Sequence, residues 1–445
     1  MLDVLVTAVA NVILTIPSLT IGIVGQETSM PQFIQQMSMN IEDHFEFIDK
    51  ANADPAARDS VLLGLLEDLH DQRWPDIERR PPWKLIVLSW GAEPKDNLVL
   101  FDVVFAVHHA IADGRSTALF HTALLSELNR SSGRPAQLCG RTLNVAGAAA
   151  GKLYPPQEEL VGFKTSWGFL VRTLWRELGP AWTQGHQPTA PWTGEVITRE
   201  PCRTQLRLVT APRVAVPRIL AACRANQTTL TPLIHALVLA ALSRHIPREH
   251  AVAFRSSTPI DLRSSIVNSP QPHSSRNLFG VFVTAQSHAF DEATITALRE
   301  RSSAEQIWRV AADLRRSMKQ HLDNVPNDDI MSMLCWVSNW EDYWLSKVGK
   351  PRGDTWEVSN IGSMPVVEAA SEEAGGDWKI QRSLMSQGAT VAGTAISISV
   401  AGVAGGEISI VLGWQEGIVE PAVVEALATD LEGWLDRLGQ DQEIV

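Results

Sequence analysis

The chain has 445 residues, of which 45% are hydrophobic and 20% charged, enough apolar material for a buried core and too much for global disorder. A formal net charge of −12 excludes a protein that tracks nucleic-acid phosphates with a broad basic face. Cys139, Cys202, Cys223 and Cys335 stand far apart with no C-x-x-C spacing, so the pattern favours a reducing, cytoplasmic setting over a disulfide framework or a zinc site.

Residues 4–24 carry no charge, a length that raises the question of a membrane span. Pro17 interrupts the run, and neither a basic n-region nor a cleavage site accompanies it, so the reading is a buried helix to about Thr15, then a strand over 19–24. Residues 33–41 alternate and predict a strand; residues 59–69 place Val61, Leu62, Leu65, Leu66 and Leu69 on a helical stripe. The runs 83–90 and 97–107 read as paired strands. The second of them leads into Val-Val-Phe-Ala-Val-His-His-Ala-Ile-Ala-Asp-Gly at 103–114, and residues 115–128 then have helical spacing. This is strand, tight corner, helix. Alternation along a strand sends His108 and His109 to opposite faces, so one packs and the other points beyond the strand, while Gly114 is suited to an unusual backbone dihedral at the corner.

Residues 131–199 are the least regular, with a predicted helix over 158–178 bearing Trp167, Phe169, Leu170, Trp175 and Leu178, and a linker over 179–192. The lobe boundary is placed near residue 195, giving lobes 1–195 and 196–445. A strand over 202–209 and a helix over 214–225 follow, then a helix body over 233–242 with Thr231 as its N-cap and Pro232 at its first position. His235 within it reads as a satisfied core histidine. Strands are predicted from 252, over 277–285, 355–360, 379–387, 394–400 and 407–414; helices over 303–320, 330–348 and 421–438. Trp336, Trp340, Tyr343 and Trp344 recur at helical spacing, read as core. Without a strict βαβ rhythm or a G-x-G-x-x-G turn, a dinucleotide fold is disfavoured, and mixed α/β (α+β) sheets with packed helices in two lobes fit better.

The H-H-x-x-x-D-G pattern at 108–114 resembles the signature of the chloramphenicol acetyltransferase-like superfamily, which includes fungal alcohol acetyltransferases, plant H-x-x-x-D acyltransferases and condensation domains of peptide synthetases. The P-P-W-K-L-I-V run at 81–87 resembles the approach to that corner in the fungal branch, and the plant-type D-F-G-W-G sequence is absent. Relatives usually carry a further strand before the first helix, whereas this sequence starts almost at the helix. The resemblance implies a two-lobed fold with an active-site tunnel and a direct acyl transfer from acyl-CoA, acetyl-CoA foremost, to a small alcohol. It implies His109 as general base, the alcohol attacking the thioester without a covalent enzyme intermediate. It also implies that Asp113 turns away from substrate to pair with a distant arginine, for which Arg263 at the end of T-P-I-D-L-R is the match. Ser359, Asn360 and Gly362, in S-N-I-G, and Asn277, in N-L-F-G, resemble second-lobe elements suited to oxyanion or CoA contact; for Asn360 that reading and an ordinary strand-end turn stand level, and for Asn277 the turn is favoured.

An imidazole's ordinary pKa near 6.5 makes it a competent base at neutral pH, and a positioned base contributes about 10²–10⁴-fold. The diverging histidines leave Asp113 a poor metal ligand, and no other ligand cluster has recognisable spacing, so neither a metal nor a permanently bound cofactor is expected. Two further readings stand beside the acyltransferase: an N-acyl or carrier-protein-dependent condensation enzyme, and an inactive homologue that binds a ligand or partner. The expected assembly is a monomer, without a nucleic-acid partner or a stable membrane span.

Overall fold

The computed structural model describes residues 2–92, 98–130, 133–146, 153–178, 190–267, 277–300, 303–365 and 378–444. Contacts group the chain into two units that are discontinuous in sequence. The first holds Met1–Gln157, Pro270–Phe282 and Met364–Gln381; the second holds Glu158–Ser269, Val283–Ser363 and Arg382–Val445, so residues 158–195 group with the second unit.

In the first unit the uncharged start of the chain folds as α1 (Leu2–Thr15), burying Leu5, Val6, Val9, Val12 and Ile13 at helical spacing. Pro17 ends it by opening a 3₁₀ turn, and β1 (Ile21–Val24) follows. Among the described residues no helix is long and apolar enough to cross a membrane. β2 (Gln32–Gln35) pairs with β1, and β3 (Ser38–Asn40) joins β7 (Leu138–Cys139) and β8 (Thr142–Asn144) in a small sheet. The sheet that carries the corner is β4 (Phe45–Asp49), β5 (Trp83–Ala92) and β6 (Val99–Val107), in that order, with Trp83 opposite Val107 across the antiparallel β5–β6 pair. α2 (Arg58–Asp71) buries only Leu62 of its stripe. α3 (Gly114–Arg130) packs against α1, and Trp83, Phe105, Phe120 and Phe279 fill the core beneath the corner. Phe105 stacks on Phe120 with ring centroids 3.8 Å apart, which fixes the angle between the last strand and the helix after it.

The second unit is built on a six-stranded sheet. Its elements in chain order are α4 (Gln157–Leu160), α5 (Trp167–Leu178), β9 (Thr204–Ala211), α6 (Val216–Ala225), α7 (Leu230–His245), β10 (Phe254–Asp261) and β11 (Val283–Phe290). α8 (Glu292–Glu300), α9 (Ala304–Asn324), α10 (Trp340–Leu345), β12 (Trp356–Met364), β13 (Ile396–Val403), β14 (Ile408–Gln415) and α11 (Pro421–Gly439) complete it. The strand order is β11-β10-β12-β13-β14-β9, with β10 and β12 parallel. α7 is apolar all round, the mark of a helix enclosed by its neighbours, and residues from Pro232 to Ser243 are buried against the sheet, α9 and α11. Each such aliphatic side chain contributes about 1.5–3 kcal/mol of burial, which makes this helix the anchor of the unit.

Several expectations are corrected by the structure. The helix over 158–178 is two, α4 and α5, because the chain between them runs extended and bridges Val161 to Ile266 and Lys164 to Asn327. α7 begins at Leu230 with Thr229 as N-cap, two residues earlier than Thr231. Residues 277–282 form no strand; the strand is β11, from Val283. The helix over 330–348 breaks into a 3₁₀ segment Ile330–Trp336 and the short α10, where Asp329 and Asn339 cap backbone N–H groups, and Trp336 and Trp344 are 58% and 49% exposed rather than core. Residues 379–387, expected as a strand, join no ladder. The linker read over 179–192 lies outside the described residues up to 189.

Candidate active site

β6 ends at Val107, so both histidines stand in the turn beyond the strand rather than on it. The Ile111 N–H donates to the His108 carbonyl at 3.1 Å and the His108 N–H to the Pro82 carbonyl at 2.9 Å, which locks the turn onto the start of β5. His108 is half-buried, and its Nδ1 accepts the Ala110 N–H at 3.0 Å. A backbone N–H can only donate, so the His108 proton sits on Nε2. Burial, and beside it the charge of His109, holds the His108 pKa below the ordinary imidazole range. His109 is exposed, and among the described residues its ring makes no hydrogen bond to the protein.

Asp113 is only 6% exposed and works as a knot. Its Oδ1 accepts the Ser116 N–H at 2.8 Å, the bond of an N-cap to the first turn of α3, where a carboxylate also meets the positive end of the helix dipole. Its Oδ2 accepts the Phe282 N–H at 3.0 Å, and its own N–H donates to the Gly280 carbonyl at 3.1 Å. Ser116, fully buried, donates its hydroxyl to the Gly280 carbonyl at 2.8 Å and accepts the Gly280 N–H at 2.9 Å. Gly114 enters as the first residue of α3, so it is helical where an unusual dihedral was expected. The N-L-F-G stretch is thus the segment that docks under the corner: Phe279 sits edge-on to Phe105, Gly280 bonds Ser116, and Asn277 itself is exposed. Sequence reasoning missed Ser116 and Phe282. The D-x-x-S spacing at 113–116 hints at a capped helix start, but nothing local reports a bond between residues 164 apart.

The remaining predicted residues lie in the second unit. Arg263, 1% exposed, opens a 3₁₀ turn after β10; its N–H and its Nη1 both donate to Asp261 Oδ1, at 3.1 and 2.9 Å. In β12, Asn360 donates from Nδ2 to Thr231 Oγ1 at 3.0 Å and accepts the Gly362 N–H on Oδ1 at 2.8 Å. Gly362 has φ +79°, a backbone conformation in which a β-carbon is strained, and the Asn360 side chain braces that turn. Ser359 is half-buried beside it. Thr231, expected as a cap, serves instead as the tether between β12 and α7. Among the described residues no group of three or more His, Cys, Asp or Glu side chains is placed to hold a metal ion.

Set beside known proteins, the chain matches the profile of the alcohol acetyltransferase family over residues 66–423. It is 30% identical over 440 residues to the probable alcohol acetyltransferase FCK4 of Fusarium pseudograminearum, covering 98% of this chain and 86% of that protein. With the probable alcohol acetyltransferase crmB of Aspergillus fumigatus it shares 25% over 414 residues, 89% of this chain and 82% of that one. Among solved structures, the trichothecene 15-O-acetyltransferase TRI3 of Fusarium sporotrichioides superposes with a TM-score of 0.67 at 13% identity, covering 96% of this chain and 85% of that one. The first condensation domain of the CDA synthetase gives 0.58 at 17%, covering 99% and 88%. At such identities these two structures speak to fold alone, and the fold is the mixed α/β, two-lobed chloramphenicol acetyltransferase-like one. The chain belongs to the alcohol acetyltransferase family and is an acyltransferase.

Proposed function

We propose that the chain transfers an acyl group, acetyl foremost, from a CoA thioester to the hydroxyl of a small alcohol or secondary metabolite, with His109 as general base. The reading rests on one observation: of the two adjacent imidazoles, His108 is committed to the backbone of its turn, and His109 is exposed with no protein partner among the described residues. In the step proposed, the acceptor hydroxyl gives its proton to the His109 ring as its oxygen attacks the thioester carbonyl. The tetrahedral intermediate collapses to an ester, and the departing CoA sulfur takes the proton back as a free thiol. Acyl-CoA is a co-substrate here, not a resident cofactor. In this reading Asp113 holds the corner through its backbone bonds and through a pair with Arg263, while Ser359, Asn360, Gly362 and Asn277 are candidates for oxyanion or CoA contact.

The test is thiol release from acetyl-CoA in the presence of a panel of alcohols. His109→Ala should lower the rate by about 10²–10⁴-fold with an unchanged melting curve, and His108→Ala should act through stability. Release that survives His109→Ala would remove this mechanism. Release only from a carrier-bound thioester would favour the condensation chemistry of the condensation domains that share the fold, and binding without turnover of any donor would favour an inactive homologue.

A further inference from the structure

α5 is an amphipathic helix that turns an aromatic side to solvent. Its entry is fixed: the Ser166 N–H and hydroxyl donate to the two carboxylate oxygens of Asp328, at 2.7 and 2.9 Å. Ser166 Oγ also accepts the Phe169 N–H at 3.2 Å, the bond of an N-cap. The Thr165 hydroxyl donates to Ser332 Oγ at 2.9 Å, and the Asp328 N–H to the Lys164 carbonyl at 2.8 Å. From that anchor the helix buries Thr173 and half-buries Phe169, Leu170 and Leu174. Trp167, Val171 and Trp175, spaced four apart and so stacked along one side, are 81%, 60% and 53% exposed. Gly168 adjoins this stripe, and a β-carbon built there meets nothing within 4 Å. One exposed apolar residue is ordinary; two tryptophans and a valine in a line make a contact surface.

The charge of this stretch is opposite to that of the chain. Residues 161–175 hold Lys164 and Arg172 and no acid, in a chain of net charge −12. Both cations are exposed, and among the described residues neither side chain has an ion-pair partner. The acid at the helix start, Asp328, is held by Ser166. An apolar stripe bordered by such cations fits a surface that is apolar beneath and negative above. Tryptophan rings settle at the headgroup level of a bilayer, and Lys and Arg reach lipid phosphates from there.

We propose that α5 is a membrane-surface contact: the helix lies along an anionic bilayer, with Trp167, Val171 and Trp175 at the boundary of headgroups and acyl chains and with Lys164 and Arg172 on lipid phosphates. At 12 residues it is too short to span, so the contact is peripheral. The binding face stands independently of the acyl-transfer reading.

Flotation of the whole chain with vesicles of phosphatidylserine and phosphatidylcholine in equal parts, against vesicles of phosphatidylcholine alone, tests it. Capture by the anionic vesicles is expected, weaker on the neutral ones and reduced by salt. Trp167→Ser and Trp175→Ser should each weaken it about tenfold, the scale of one large apolar side chain withdrawn, and Trp167→Phe by less. Arg172→Gln should cost about fivefold on the anionic vesicles and nothing on the neutral ones. Without vesicles these variants should melt as the parent does, because the side chains they change are exposed. No flotation, equal capture by both vesicles, or capture untouched by the tryptophan substitutions would overturn the proposal. Self-association of the free chain without vesicle capture, abolished by Trp167→Ser, would overturn it as well and give the stripe to a second copy.

Discussion

Two pairs of histidines among the described residues differ in what their neighbours leave free. At 108 and 109 one ring serves the turn and the other is exposed. At 235 and 288 both rings are buried and used: His235 Nε2 and His288 Nε2 share the Thr258 hydroxyl at 2.9 Å each, and His235 Nδ1 meets Ser256 Oγ at 3.1 Å and the Trp356 indole N–H at 3.0 Å. The second pair is the richer cluster, yet it has no face to offer a substrate. Closeness of imidazoles does not make a site; an unspent ring nitrogen within reach of solvent does.

The sharpest way to break this comparison is pH. Burial pushes His288 down to about 4 and His235 well below the ordinary value of 6.5. Between pH 4 and 6.5 the unfolded chain therefore binds protons that the folded chain refuses. Stability is full above pH 6.5 and falls as pH drops through that window, by on the order of 3 kcal/mol for His288 alone, with His235 acting in the same direction. Urea midpoints measured from pH 7 to 4 should show the fall, to which His70 and His121, also held down to about 4 by burial, add in the same direction, and His288→Asn should remove its own share. A variant curve that falls as steeply as the parent's would mean that His288 is not held neutral.

A smaller effect separates the corner's frame from its chemistry. Asp113→Ala removes an N-cap and leaves the Phe282 N–H without its acceptor, a loss of about 2–4 kcal/mol when both contributions are counted. Paired with Arg263→Ala, the double mutant should be coupled by about 0.5–3 kcal/mol if the two side chains hold the corner together. Strict additivity in thermal melts would leave Arg263 to its bonds with Asp261 and take it out of the corner.

The parts of this frame that were legible in the sequence are those written contiguously. Strand, double histidine, Asp-Gly and helix follow one another, so their local order could be read from residue type alone. The docking of Gly280 and Phe282 under that corner could not, because the N-L-F-G stretch is neither helix nor strand and its bonds go to Asp113 and Ser116. Similarly, residues 379–387, expected as a strand, cross from the first unit to the second, and Gln387 is engaged through its side chain to Glu357 instead of a ladder. The tryptophans at 336 and 344 keep helical spacing, but Asn339 captures the N–H groups of Glu341 and Asp342 and restarts the chain between them. In each case a side chain outcompeted the periodicity, which reports faces and not partners.

Asn360 yields the smallest effect and decides between its two readings. Its carbonyl oxygen and one amide hydrogen are spent on Gly362 and Thr231, which leaves a single N–H for any oxyanion. Asn360→Ala should cost about 1 kcal/mol, one net hydrogen bond. Asn360→Asp keeps the acceptor for Gly362 and lets the Thr231 hydroxyl donate in its turn, so stability should return. If the residue braces the turn and nothing more, turnover returns with it. A kcat that stays about 10²–10³-fold down in the aspartate variant, the cost of one lost oxyanion donor, while the melt is restored, would put that remaining N–H at the reacting carbonyl and make β12 part of the chemistry.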